Sequence, residues 1–93
     1  MRIEMLQQQL KKSVPEMSRP FASGIEILAT MTEELGEVAK EVQLLEQIGT
    51  KAEWEREPSR ERLAEEISHL INVTLVLANQ YEIDLDAYYS ANQ

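Results

Sequence analysis

The chain has 93 residues, no cysteine and a formal net charge of -8 at pH 7. This length suits one small domain, and the lack of cysteine excludes disulfides, thiolate metal sites and a cysteine nucleophile. The negative charge disfavours a nucleic-acid polymer as partner, and no apolar run is long enough to span a membrane, so we expect a cytoplasmic protein.

The first predicted helix runs from about Arg2 to Ser13, with apolar residues three and four positions apart at Ile3, Leu6 and Leu10. It ends before Pro15, because the residue preceding a proline is pushed out of the helical region. We predict one domain over residues 1–93, in which 1–19 supply the first helix and a connector and 20–92 supply the core helices.

The second predicted helix begins between Pro20 and Ser23 and continues to about Gln47. Proline suits a first helical turn, and the following Gly49 is typical of a helix C-terminus. Gly36 lies inside this helix at a cost of about 1 kcal/mol relative to alanine. Such a glycine indicates a close approach of another backbone.

The third predicted helix follows Ser59, a good N-cap, and runs to about Tyr81. Its seam positions repeat at spacings of four and three, as in a heptad pattern: Leu63, Ile67, Leu70, Thr74, Leu77 and Tyr81. Asp84 is expected to cap a short last helix from Leu85 to about Ala91. The four segments predict an all-α helical bundle with two long central helices.

The third helix is apolar on nearly every side between Ile67 and Ala78. A helix that is apolar all round must be covered all round, which four helices of so short a monomer can hardly achieve. We therefore predict a homodimer or homotetramer whose helices pack across the subunit interface. The alternative is that the first and last helices cover this surface alone.

Each long helix also carries polar residues beside its apolar face, in the clusters Glu33-Glu34-x-x-Glu37 and Glu65-Glu66-x-x-His69. At about 100° per residue, Glu34 lies at the edge of the apolar row, with Glu37 and Glu41 on the same flank. Glu66 and His69 hold the equivalent edge of the third helix, whereas Glu33 and Glu65 point toward water. Antiparallel packing would bring the two edges together.

Carboxylates that converge on a half-buried seam repel one another, and a divalent cation relieves that repulsion. Oxygen-rich sites suit Mg²⁺ or Mn²⁺, and a histidine shifts the preference toward Mn²⁺, iron or zinc. The pattern predicts a metal site formed by Glu34, Glu37, Glu66 and His69. The alternative is a set of solvated surface glutamates, with His69 hydrogen-bonded in the core.

At these residues the sequence resembles the MazG-like family of all-α nucleoside triphosphate pyrophosphohydrolases, whose pattern is Glu-Glu-x-x-Glu, a gap, then Glu-x-x-Asp. The segment from Glu33 to Ala39 matches the first half, and Glu66-Ile67-Ser68-His69 stands where the second half belongs. The likeness covers about residues 20 to 90 and includes the apolar third helix and the following Glu82-Ile83-Asp84-Leu85.

The resemblance implies a helical bundle assembled as dimers or tetramers, with sites near subunit contacts. It implies cleavage of a nucleoside triphosphate, including non-standard nucleotides, to monophosphate and pyrophosphate with Mg²⁺ (or Mn²⁺). Glu34, Glu37 and Glu66 would hold the metal, and His69 would stand in for the family aspartate. Further candidates are Glu33 or Glu41 to orient or deprotonate the attacking water, and Lys40, Lys51 and Trp54 to contact substrate.

The histidine leaves two other functions open. A Glu-x-x-His pair with a glutamate on a partner helix is the ligand set of ferritin-like di-iron bundles, and Glu34, Glu66 and His69 would supply it. An exchange of aspartate for histidine also replaces a hard anionic oxygen that Mg²⁺ prefers. The second alternative is therefore a catalytically degenerate MazG-like protein that serves as an oligomeric interaction module.

Overall fold

The computed structural model describes residues 2–13, 23–49 and 57–91, and these ranges contain helices and no strand. The helices are α1 (Ile3–Ser13), α2 (Gly24–Glu46), α3 (Arg60–Gln80) and α4 (Leu85–Ala91). The predicted all-α fold is confirmed. None of these helices is both long and apolar enough to cross a membrane.

The starts of α3 and α4 follow from side chains that cap them. Ser59 has an extended backbone, and its hydroxyl oxygen accepts a hydrogen bond from the N–H of Arg62 at 3.1 Å. Asp84 accepts from the N–H of Ala87 at 3.2 Å through Oδ1. Each cap satisfies a main-chain donor that the first helical turn leaves without a partner, so both predicted caps are confirmed.

Two glycines of the second helical segment differ in outcome: Gly49 follows the helix end as predicted, with φ 75°, whereas Gly36 lacks the predicted close contact. The helix ends ahead of Gly49, because Gln47 itself takes the left-handed conformation (φ 57°, ψ 40°) and donates to the carbonyls of Gln43 and Leu44. A Cβ placed on Gly36 would meet no atom of another element within 4 Å. The close backbone approach predicted at Gly36 therefore does not occur within the described part of this chain.

The central pair of the fold is α2 against α3, and α1 packs on α3 and α4. The pair is antiparallel, since Glu34 lies near His69 whereas Glu41, further along α2, pairs with the earlier residue Arg62 on α3. This arrangement places the flank of α2 that carries the first acidic cluster against the flank of α3 that carries the second.

A polar network attaches α1 to the junction of α3 and α4. Gln7 is buried, and its side-chain amide donates to Asn79 Oδ1 at 2.8 Å and to the Ile83 carbonyl at 2.9 Å. Its side-chain oxygen accepts from the Leu85 N–H at 3.3 Å, and Asn79 donates back to the Gln7 carbonyl at 2.9 Å. All hydrogen-bonding groups of this buried amide side chain are thereby engaged, as burial requires.

The described residues bury few apolar side chains: Ile27, Leu44, Leu75 and Ala78. A larger set of big apolar side chains is exposed: Met5, Ile25, Leu28, Leu35, Ile48, Ile67, Ile71, Tyr81, Ile83, Tyr88 and Tyr89. Ile67 and Ile71 belong to the all-round apolar stretch of α3. The first and last helices therefore cover that stretch only in part.

Candidate metal centre

Three of the predicted ligands meet where α2 crosses α3. Glu34 comes from α2, and Glu66 and His69 come from one face of α3, because residues three apart lie one above the other on a helix. One ligand atom from each lies within 4.8 Å of the other two. The convergence predicted from the helical positions of these residues is present in the structure.

The imidazole faces both carboxylates through the same nitrogen. His69 Nδ1 lies 3.8 Å from Glu34 Oε2 and 3.9 Å from Glu66 Oε2. Both separations are too long for hydrogen bonds, which join N and O at about 2.7–3.2 Å. A single cation with bonds of about 2.1 Å holds donors up to about 4.2 Å apart, so either separation fits a shared ion.

The cluster is partly open to solvent. The side chains of Glu34 and Glu66 are 26% and 20% exposed, and that of His69 is 55% exposed. The two carboxylates supply anionic oxygens from the half-buried seam, and the imidazole supplies a nitrogen from the open side. The donor chemistry of the set fits a divalent cation that an incoming ligand can reach.

Glu37, the fourth predicted metal ligand, lies apart from this cluster. Its carboxylate forms an ion pair with Lys40 on the same helix, with Nζ 3.0 Å from Oε2, and it is half exposed. Lys40 was a candidate for contact with substrate, so the structure pairs two predicted site residues with each other.

The two candidate bases differ in their surroundings. Glu33 is exposed beside Glu34 on α2. Glu41 is 1% exposed, and its Oε1 accepts a hydrogen bond from Arg62 Nε at 3.1 Å. Lys51 and Trp54, the other candidates for contact with substrate, lie outside the described residues.

Arg62 is a residue near the site that the sequence reasoning missed. Besides its ion pair with Glu41, its guanidinium donates to the main-chain carbonyl of Glu57, ahead of α3. The sequence feature that could have identified Arg62 is its position four residues before Glu66, which places both residues on the same face of α3. Arg62 connects the start of α3 to the flank of α2 that carries Glu34.

Comparison with known proteins supplies one family. A family model described as phosphoribosyl-ATP pyrophosphohydrolase matches residues 3–91. That family sits in the MazG-like superfamily of all-α nucleoside triphosphate pyrophosphohydrolases, so the resemblance drawn from the sequence is confirmed for the superfamily. No curated protein and no solved structure matches the chain.

Proposed function

Because this chain belongs to the phosphoribosyl-ATP pyrophosphohydrolase family, we propose that it hydrolyses nucleoside triphosphates to monophosphate and pyrophosphate. The family implies pyrophosphohydrolase activity on a nucleotide, and the proposal includes non-standard nucleotides. The observation that carries the proposal is the convergence of Glu34, Glu66 and His69 across the α2–α3 seam. A cytoplasmic location is part of this proposal, since nucleotide substrates are available there.

The three converging residues would hold a divalent cation, for which the starting candidates are Mg²⁺ and Mn²⁺. When bound, that cation supplies neutralisation of the phosphate charge and activation of water. The chain itself carries a net charge of -8 and would otherwise repel a triphosphate. The metal would therefore support substrate binding as well as reaction.

Glu33 is the stronger candidate for the general base. Its carboxylate is exposed to water, one residue before Glu34 on α2, whereas Glu41 is buried and bonded to Arg62. In the proposed step a water oxygen bonds to phosphorus, the P–O bond that joins the α- and β-phosphates breaks, and Glu33 takes the proton. Glu41 would then act by holding Arg62 and the start of α3.

Lys40 and Glu37 would enter the site together. The ion pair that joins them is on the surface of α2, and such pairs contribute about 0–1 kcal/mol, so a triphosphate can compete for the lysine. Release of Lys40 to a phosphate oxygen would leave Glu37 available to the metal, one turn from Glu34. Lys51 and Trp54 stay proposals for contact with substrate.

Purified protein with Mg²⁺ or Mn²⁺ is expected to release pyrophosphate from at least one member of a nucleotide panel. The panel holds the standard ribonucleoside and deoxyribonucleoside triphosphates, base-modified triphosphates and phosphoribosyl-ATP. Chromatography of the monophosphate and an enzyme-coupled pyrophosphate assay measure the two products. Turnover of phosphoribosyl-ATP alone would restrict the substrate to the one in the family description.

Absence of both products across the panel would contradict the catalytic proposal and favour the degenerate interaction module. Release of inorganic phosphate without pyrophosphate would also contradict it, because a different bond would have been cleaved. The family match gives the di-iron alternative no support. Rapid oxidation of Fe²⁺ with an oxo-bridge absorbance would nevertheless restore it.

We further propose that the protein is a homo-oligomer. The exposed apolar residues Ile25, Leu28 and Leu35 follow one stripe of α2, since they are three and seven positions apart, and the open face of Gly36 adjoins it. Among the described residues, more large apolar side chains are exposed than buried, and a second copy that covered them would stabilise the protein. Gly36 would then allow close approach between chains.

Leu28→Lys is expected to dissociate the oligomer, because it places a charge from each copy in the shared apolar surface. Size-exclusion chromatography with light scattering measures the mass against the 10.7 kDa of one chain. Gln9→Lys is the control, since it introduces a lysine at an exposed position of α1 and leaves the α2 stripe unchanged. A wild-type mass of one chain would contradict the proposal.

A further inference from the structure

We propose that the centre formed by Glu34, Glu66 and His69 selects a first-row transition cation over Mg²⁺, with His69 Nδ1 as a direct ligand. This inference rests on the proposed metal centre, and it concerns which ion binds there and not which substrate is hydrolysed. It follows from the position of the single histidine of the chain in the acidic cluster.

The imidazole is oriented for this role. Nδ1 is nearly equidistant from carboxylates on two different helices, at 3.8 Å from Glu34 and 3.9 Å from Glu66. Nδ1 is therefore within reach of an ion that both carboxylates could bind. The His69 side chain is 55% exposed and can adjust to a bound ion.

The alternative roles of His69 fit these distances less well. A structural histidine donates or accepts at hydrogen-bond length, and both carboxylate oxygens lie beyond it. An ion pair between the imidazole and either carboxylate, at these separations and this exposure, would contribute only about 0–1 kcal/mol. A shared cation accounts for both separations between His69 and the carboxylates.

The donor set determines the kind of cation. Mg²⁺ requires near-octahedral oxygen ligands and rarely accepts a neutral nitrogen in place of a carboxylate. Manganese, iron, cobalt and zinc accept imidazole and carboxylate together. A site of two carboxylates and one imidazole is therefore expected to bind Mg²⁺ weakly. It is expected to retain affinity for manganese, iron, cobalt and zinc.

The decisive measurement is made on protein without substrate. Tag-free protein with one equivalent of Mn²⁺ is expected to show ¹⁴N modulation in electron spin-echo spectra, with frequencies typical of a directly bound imidazole. Because the chain has one histidine, that signal can arise only from His69. Bound Mn²⁺ without imidazole modulation would overturn the proposal, and this test needs no variant.

A second measurement compares affinities. The proposal expects the ratio of the Mg²⁺ to the Mn²⁺ dissociation constant to fall by about tenfold to a hundredfold in His69→Asp. Loss of the free Mn²⁺ signal in electron spin resonance measures Mn²⁺ binding, and competition by Mg²⁺ gives the second constant. The partly exposed position of His69 allows this variant to fold.

Ser68→Asp is the control for charge, since it adds a carboxylate at the adjacent exposed position and retains His69. An equal fall of the ratio in this variant would overturn the proposal, because net charge alone would then set the preference. The outcome is separate from that of the hydrolysis assay. Imidazole-bound Mn²⁺ in a protein that releases no pyrophosphate would support the metal assignment and contradict only the proposed function.

Discussion

Glu66→Gln is expected to lower metal-dependent pyrophosphate release more than about 100-fold, because the amide removes one anionic donor from a set of three. Glu66 lies next to both other members of the cluster. It shares a helix face with His69 at a spacing of three, and it lies across the seam from Glu34. The same change should weaken Mn²⁺ binding in protein without substrate.

Glu65→Gln is the matched control, with the same chemical change one residue earlier on α3. Glu65 is exposed and lies outside the cluster, so its variant should retain activity within about twofold. Equal loss in both variants would show that general surface charge, and not a metal centre, supports activity. Full activity in Glu66→Gln would remove Glu66 from the site.

Much of the fold follows from local signals along the chain. The N-cap residues Ser59 and Asp84 determine where α3 and α4 begin, because a side-chain oxygen near the first turn satisfies a main-chain donor whatever the rest of the fold does. The end of α2 was predicted to within one residue, but the residue that terminates the helix was not. Gln47 adopts a left-handed conformation that its residue type does not favour, two residues before the glycine that suits it.

The site was predictable to the extent that helix geometry determines it. The angular positions of Glu34, Glu66 and His69 place them on facing edges of two long helices, and antiparallel packing brings them together. Glu37 and Glu41 share the flank of Glu34, yet each carboxylate pairs with a cation, Lys40 or Arg62. Helix geometry fixes the direction of a side chain but not its rotamer or its partner.

The Gln7 network was beyond sequence reasoning for a related reason. Gln7 is four residues after Ile3, on the apolar face of α1, and this position indicates burial for a polar side chain. It does not indicate the partners. Asn79, Ile83 and Leu85 are more than seventy positions away, and only the docking of α1 against the α3–α4 junction brings them near.

Gln7→Ala is therefore expected to destabilise the fold by about 2–3 kcal/mol. Truncation removes three side-chain hydrogen bonds and leaves partly buried groups of Asn79, Ile83 and Leu85 without them, at about 0.5–1.5 kcal/mol each. For a domain of this size the melting temperature should fall by roughly 10–20 °C. Circular dichroism of the helical signal during heating measures the change.

Gln9→Ala is the matched control, because it makes the same truncation at an exposed position two residues along α1. Alanine has the higher helix propensity, so this variant should melt at or slightly above the wild-type temperature. Both must be measured at one protein concentration, since oligomerisation would make the melting temperature concentration-dependent. Equal melting temperatures for the two variants would contradict the role of the network.

Gln7→Ala also tests whether the metal centre depends on the docking of α1. Asn79 is ten residues after His69 on α3, a distance of about 15 Å along the helix axis. Well below its melting temperature, Gln7→Ala should therefore bind Mn²⁺ as the wild type does. Weakened binding in folded Gln7→Ala would mean that the docking of α1 supports the alignment of α2 and α3, and that the cluster depends on more than its two helices.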